Sequence, residues 1–410
     1  MIVAIRHPDR EMFMARMCPA LLVLSLSASP ALGGEIYRID SSAGLNRAMG
    51  AARPGDRILL APGDYESNFY FRNVHGKPRE PIIITAANAA KPPRFIGKDA
   101  PLHFSGASYL ELRNLVFTGS RGNALNIDDD GKPEQPSHHI TLQNIHIHAI
   151  GPKGNVDGIK LTGVDDFLVI GCTIERWGSS GSAIDMVGCH RGIVQRCTFR
   201  KGGENAVQAK GGSSEITIRK CHFEDAGDRA VNIGGLTANT SFRPPLESMP
   251  AGGKYEAREI VIEGCTFVRG EAAIAFVNVD GAVARYNTIY LPEKYAIRIL
   301  QERADPQFLA SRNGLFENNI VVFRSSKWAD GGINIGPGTA PKTFRFRGNL
   351  WYCEDQPGRS EPKLPVMETD GVVGKDPQLV DPAASDFAAR DDGPAKGRGA
   401  HALPAPAEGK

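Results

Sequence analysis

Charged and amide side chains stand at matching places in a series of short apolar segments. Lys160 lies in Gly158-Ile-Lys-Leu, Asp185 in Ala183-Ile-Asp-Met and Gln208 in Ala206-Val-Gln-Ala. Asn232 lies in Ala230-Val-Asn-Ile and Arg298 in Ala296-Ile-Arg-Ile. Lys210 follows Gln208 by two positions, and Lys201, Glu204 and Arg229 stand just ahead of the segments. Cations set among amides suit a ligand that bears carboxylates. Removing the proton next to a carboxylate needs a base, plus positive charge on the carboxylate to stabilise the enolate-like state. A lysine whose neighbours are cations has a lowered pKa and can be that base. Asp185 and Glu204 are hard oxygen donors, which makes Ca2+ the candidate metal. A solvated sheet face carries the same residue types, so the chemistry depends on whether these segments share one wall.

The segments belong to a larger repeat. A second shape recurs between them: Tyr109-Leu-Glu-Leu-Arg-Asn114-Leu-Val-Phe, His139-Ile-Thr-Leu-Gln-Asn144-Ile-His-Ile and Phe167-Leu-Val-Ile-Gly-Cys172-Thr-Ile. Gly192-Ile-Val-Gln-Arg-Cys197-Thr-Phe, Glu215-Ile-Thr-Ile-Arg-Lys-Cys221-His-Phe and Glu259-Ile-Val-Ile-Glu-Gly-Cys265-Thr-Phe follow. Asn287, Asn319 and Asn349 mark later copies. Each reads as a short alternating strand, a turn ending in Asn or Cys, and a second short strand. With the Lys160-type segment, every repeat carries three strands and three turns. Alternation of period two puts one side of each strand inside and the other in solvent. One such coil cannot bury its apolar face, but stacked coils can. The expected fold is all-β, a single-stranded right-handed parallel β-helix of roughly ten coils.

Stacking makes predictions about columns. Asn126, Lys160, Asp185, Gln208, Asn232, Ala275, Arg298 and Asn334 should form one outward column of the third strand. Asp128, Thr162, Val187, Lys210, Gly234, Val277 and Leu300 should form the next. Asn114 and Asn144 are expected in one turn column with Cys172, Cys197, Cys221 and Cys265. These cysteines then act as small buried residues rather than disulfides, since parallel stacking does not suit the disulfide torsion. The insertion Leu236–Ala257 and the loop Gln301–Asn313 both follow third strands, so they should overhang this wall with Arg243, Lys254, Tyr255 and Arg303. His138, His139, His146 and His148, and the acids Asp128-Asp-Asp130 and Asp165-Asp166, read as surface and turn residues.

The ends are different in kind. Residues 1–33 have the form of a signal peptide: Arg10 and Arg16, an apolar run from Ala20 to Ala28, and small residues near Gly33. The apolar run is too short to span a bilayer. A periplasmic or secreted protein with no membrane span is expected. A small helix around Leu45 to Arg53 should cap the first coil, the helix domain should occupy 34–393, and 394–410 should be a flexible tail. The net charge is only +2, which gives no electrostatic case for nucleic acid as a partner.

The opening Arg53-Pro-Gly-Asp-Arg-Ile-Leu-Leu-Ala-Pro-Gly-Asp-Tyr65, the three-strand coils and the closing Lys375-Asp-Pro-Gln-Leu-Val-Asp-Pro resemble the pectate-lyase-like β-helix superfamily. Within it, Asn205-Ala-Val-Gln-Ala-Lys210-Gly, with Ile216-Thr-Ile and Cys221-His-Phe after it, is similar to the catalytic coil of the alginate lyase and chondroitinase B family. That resemblance implies a catalytic role for Lys210. The family's catalytic arginine falls at Gly234, so Arg229, on the same strand, is the substitute. The family's metal-binding acid falls at Asn205, beside Glu204. The chain departs from the pattern at both places.

Lys210 and Arg229 are therefore the catalytic candidates. Lys160, Asp185, Gln208, Asn232 and Arg298 are the substrate-binding candidates, and Asp185 with Glu204 the metal candidates. The expected activity is that of a polysaccharide lyase, acting as a monomer on an anionic, uronate-containing glycan by β-elimination. The alternative is a non-catalytic β-helix that binds glycans or cell-envelope partners. A glycoside hydrolase needs two facing carboxylates, and Asp185 is the only acid of the outward columns near Lys210.

Overall fold

The computed structural model describes residues 33–405 apart from Asp391, so the signal peptide expected over 1–33 lies, except for Gly33, outside the described residues. The chain opens with a strand, Ile36–Ile39, and a helix, Ser42–Ala51. The Ser41 hydroxyl accepts from the Gly44 amide and caps the helix N-terminus. Leu45, Ala48 and Met49 of the helix are buried against the first coil. This is the expected N-terminal cap.

Ten successive coils beyond it contribute one strand to each of three parallel sheets, and a last coil contributes to two of them. The first sheet holds Ser108–Arg113, Ser137–Gln143, Val164–Ile170 and their successors; the second holds His146–His148, Thr173–Glu175 and Thr198–Arg200. The third sheet has ten strands, running from Phe69–Arg72 to Ile333–Ile335. Inward residues of the third sheet, such as Ile184 with Met186 and Val231 with Ile233, are fully buried. Phe199, Phe223 and Phe267 stack through the core at centroid spacings of 5.0 and 4.7 Å, close to the separation of neighbouring strands. Every coil therefore donates its apolar face to one continuous core.

The turn between the first and second strands needs one correction. Asn114 and Asn144 do not share the cysteine column. They stand one residue earlier, in a column with Gly171, Arg196, Lys220 and Gly264, where φ runs from +52 to +65°. The next column begins with Leu115 and Ile145 and continues through Cys172, Cys197, Cys221 and Cys265 to Asn287, Asn319 and Asn349. Short polar residues suit both the left-handed turn and an inward amide, so residue type alone leaves a one-residue slip open. Asn287, Asn319 and Asn349 form the buried amide ladder. The Asn287 amide N–H donates to Asn319 Oδ1 at 2.8 Å, and that of Asn319 to Asn349 Oδ1 at 2.8 Å. The six cysteines among the described residues are buried and unbonded to one another.

The tail is also corrected. Rather than fraying from Pro394, residues 394–405 run back along the coils, while 406–410 lie outside the described residues. Ala395 is buried, Arg398 Nε donates to Gly348 O at 2.5 Å, and the Ala400 amide donates to Thr288 Oγ1 at 3.0 Å. Among the described residues no helix is long and apolar enough to cross a membrane.

Candidate active site on the third sheet

The predicted outward columns are present in register. Asn126, Lys160, Asp185, Gln208, Asn232, Ala275, Arg298 and Asn334 pair in succession. Asp128, Thr162, Val187 and Lys210 pair beside them. The structure thus gathers residues that are far apart in sequence onto one wall.

Asp185 is the hub. Its side chain is 3% exposed, and both lysines converge on its Oδ2. Lys160 Nζ is in direct hydrogen-bonding contact with that oxygen, while Lys210 Nζ stands 3.6 Å away. Lys210 Nζ also donates to Gln208 Oε1 at 3.0 Å. Asp185 Oδ1 is buried without a hydrogen-bond partner. A further acid joins the group: Asp157 Oδ2 lies 3.6 Å from Lys160 Nζ, and Asp157 Oδ1 accepts from the Ser182 amide at 2.8 Å. Burial, reinforced by the nearby Asp185 charge, pushes the Asp157 carboxyl up to about 6. Burial opposes the charge on Lys160, but Asp185 and Asp157 outweigh it and its pKa is raised. Asp157 sits in the turn before its strand, outside the alternating columns, so column reasoning from the sequence misses it.

A second charged group lies on the same wall. Arg229 is the backbone partner of Asn205, at the leading edge of the strand. Its guanidinium donates to Asn232 Oδ1 at 3.2 Å and pairs with Glu302 at 2.7 Å. Arg298 donates to Asn334 Oδ1 at 3.1 Å and lies over the Tyr295 ring. Burial and the Arg229 charge lower its pKa. Gln208 and Asn232 connect the two groups, their amide nitrogens directed at Gly234 O at 3.4 and 3.5 Å.

No curated protein matches the chain. A family model for a right-handed beta helix region matches residues 101–244, and one for chondroitinase B matches residues 39–144. Among solved structures, an alginate lyase from Paenibacillus sp. str. FPU-7 is 15% identical at a TM-score of 0.52, covering 73% of this chain and 99% of its own. A PL6 family polysaccharide lyase from Pseudopedobacter saltans is 15% identical at 0.53, covering 86% and 96%. A GH136 lacto-N-biosidase from Eubacterium ramulus is 15% identical at 0.54, covering 83% and 68%. The chain is a right-handed parallel β-helix. Identities this low carry the fold and leave the chemistry to the site.

Position 234, where the sequence resemblance leads one to expect an arginine, is closed to a side chain. Gly234 has φ +89°, and a Cβ there would stand 1.7 Å from Val277 O. The expected metal pair is not assembled either. Asn205 pairs with Ser182, which places Glu204 several residues along the strand from Asp185. Asp185 Oδ2 already faces two ammonium groups. Among the described residues no three His, Cys, Asp or Glu side chains cluster as metal ligands. Ca2+ asks for six to eight oxygens, and Asp185 with Glu204 does not fit it.

The charges of the two overhanging loops pair with each other or with the coil beneath. Arg243 reaches back to buried Asp129, with Nε to Oδ2 at 2.6 Å. Glu256, fully buried, accepts from the Gly211 amide at 3.0 Å and the Thr237 hydroxyl at 2.6 Å, and pairs with Arg303 at 3.1 Å. Arg303 lies over the rings of Phe242 and Phe308. Lys254 donates to Gln307, and Tyr255 is buried with Phe242, Leu246, Met249 and Phe308. The four loop residues expected to reach a substrate instead clamp the loops beside Lys210. The other clusters also have local partners. Asp128 bonds His103 and Ser105, Asp130 bonds Arg72, and His139 stacks on Tyr109.

Proposed function

We propose that this chain is an exported carbohydrate-active enzyme, a polysaccharide lyase that cleaves an anionic, uronate-containing glycan by β-elimination. The observation that carries the reading is the wall itself. Lys160 and Lys210 share one buried carboxylate, Arg229 stands on the next coil after Lys210, and Arg298 two coils further along the same face. A linear polyanion lying along the helix axis would meet cations at both places. Lys210 takes the proton α to the uronate carboxylate, and the remaining cations hold the carboxylate and spread the charge that develops on it. The signal-like N-terminus supports export, and the solved lyases supply the fold-level analogy. A panel of alginate, pectate and chondroitin-type polymers tests it through the ultraviolet absorbance of the unsaturated sugar. No absorbance from any uronate polymer, or full activity in Lys210→Ala, removes the reading.

One observation favours glycoside hydrolysis as a second reading. Asp157 and Asp185 both approach Lys160, and Asp157 is pushed up to about 6, so two carboxyls of the kind hydrolysis uses stand together. New reducing ends without ultraviolet absorbance would select it. Binding of a glycan with neither product would select the non-catalytic alternative.

A further inference from the structure

Elimination has two proton transfers, and the lysine base accounts for one. When the C4–O4 bond breaks, the departing glycosidic oxygen needs a proton. Gly234 leaves no side chain where the resemblance places an arginine, and Arg229 is held by Glu302 and Asn232. We propose that Lys160 is this acid, with Asp185 returning the proton between the two lysines. The proposal rests on the elimination reading above.

The asymmetry around Asp185 assigns the roles. Two amines face one carboxylate oxygen, and one negative charge fully balances only one ammonium. Lys160 is in direct contact with Oδ2, has Asp157 on its other side, and keeps its proton. Lys210 stands back at 3.6 Å from Oδ2, makes no such close ion-pair contact, and is assigned as the base. Both side chains reach solvent, 26% and 19% exposed. C5 and O4 of a uronate are separated by a single ring carbon, so two amines flanking one carboxylate can address both atoms.

The steps balance. The Lys210 lone pair takes hydrogen from C5, and the C–H electrons form the C4–C5 double bond. The C4–O4 bond breaks with its electrons on O4, and the Lys160 ammonium gives O4 a proton. Lys210 is then charged and Lys160 neutral. Proton transfer from Lys210 to Asp185 Oδ2 and on to Lys160 restores the starting state. No oxidant, reductant or further reactant enters.

The experiment compares two substrates: the uronate polymer the protein cleaves, and a uronate with p-nitrophenyl on O4, whose p-nitrophenolate leaves without being protonated. Lys160→Met should lose at least about a hundredfold more on the polymer than on the activated uronate, a ratio in which its effects on binding and on Lys210 cancel. Lys210→Ala should lose both. The unmodified protein supplies an independent measurement. Its rate on the polymer should fall at high pH as Lys160 deprotonates, and that limb should be missing for the activated uronate. Equal losses on both substrates in a Lys160→Met protein that still unfolds cooperatively, or the same alkaline limb on both in the parent, would overturn the assignment. If the parent cleaves neither substrate, the elimination reading itself fails; if it cleaves them without this contrast, only Lys160 is misassigned.

Discussion

Two polar columns run along the same helix and end in different states. In the turn column, Asn287, Asn319 and Asn349 are fully buried, neutral and satisfied, each amide oxygen accepting from its neighbour on the preceding coil or, at the start, from the Cys265 amide. In the third-sheet column, Lys160, Asp185, Gln208 and Asn232 mix charges and amides, and Asp185 Oδ1 is left buried without a partner. Stacking alone therefore does not make a polar column structural or functional. A repeated amide can satisfy itself because donor and acceptor recur at the spacing of the strands. Charges that change from coil to coil cannot, and an incompletely satisfied group is held at a cost to stability. Such sites are where function is concentrated.

Breaking the two columns should separate activity from stability. The largest effect is expected for Lys210→Ala, with a loss of roughly 10²- to 10⁴-fold in polymer cleavage and little change in the urea midpoint. Next, Arg243→Ala strands buried Asp129 without its partner. It should cost about 3–5 kcal/mol in denaturant unfolding and slow cleavage as well, because the insertion holds the backbone next to Lys210.

The wall should also titrate where the ladder does not. The folded protein holds the Asp157 proton more tightly than the unfolded chain, with a carboxyl at about 6 against the ordinary 3.8. This contribution is fully present below about pH 4 and is lost as pH rises through about 6. Asp157→Asn should flatten that decline, by about 3 kcal/mol at most, in melting measured across the range. In the ladder, Asn319→Ala leaves the Asn287 amide unpaired and should cost about 2 kcal/mol, independent of pH over the same range. Cys221→Ala, which removes one buried atom, should cost about 1 kcal/mol, and neither ladder change should alter cleavage.

Much of this was legible in the sequence because the repeat is strict where the core demands it. Inward positions of the third strand are Ile, Val, Leu, Met, Ala or Phe in coil after coil, and that pattern placed Lys160, Asp185, Gln208 and Lys210 on one face with correct register. The failures lie where no alternation operates. Asn114 and Asn144 were separable from the cysteine column only by the backbone turn between them. Asp157 sits in a turn and reaches the wall through side-chain direction. Arg243 and Arg303 are loop residues whose partners, Asp129 and Glu256, are distant or unpatterned in sequence.

The sequence by itself determined the coil. The period-two segments and recurring turns allow few other ways to bury so many short apolar strands, and along the third strand they fix which residues share a column. The tertiary structure alone decided which charges meet. Whether Asp185 faces a metal or two lysines, whether position 234 can carry a side chain, and whether the loop arginines face solvent or buried acids all depend on distances of a few ångströms. Those distances are set by packing between segments that have no periodic relation in the chain.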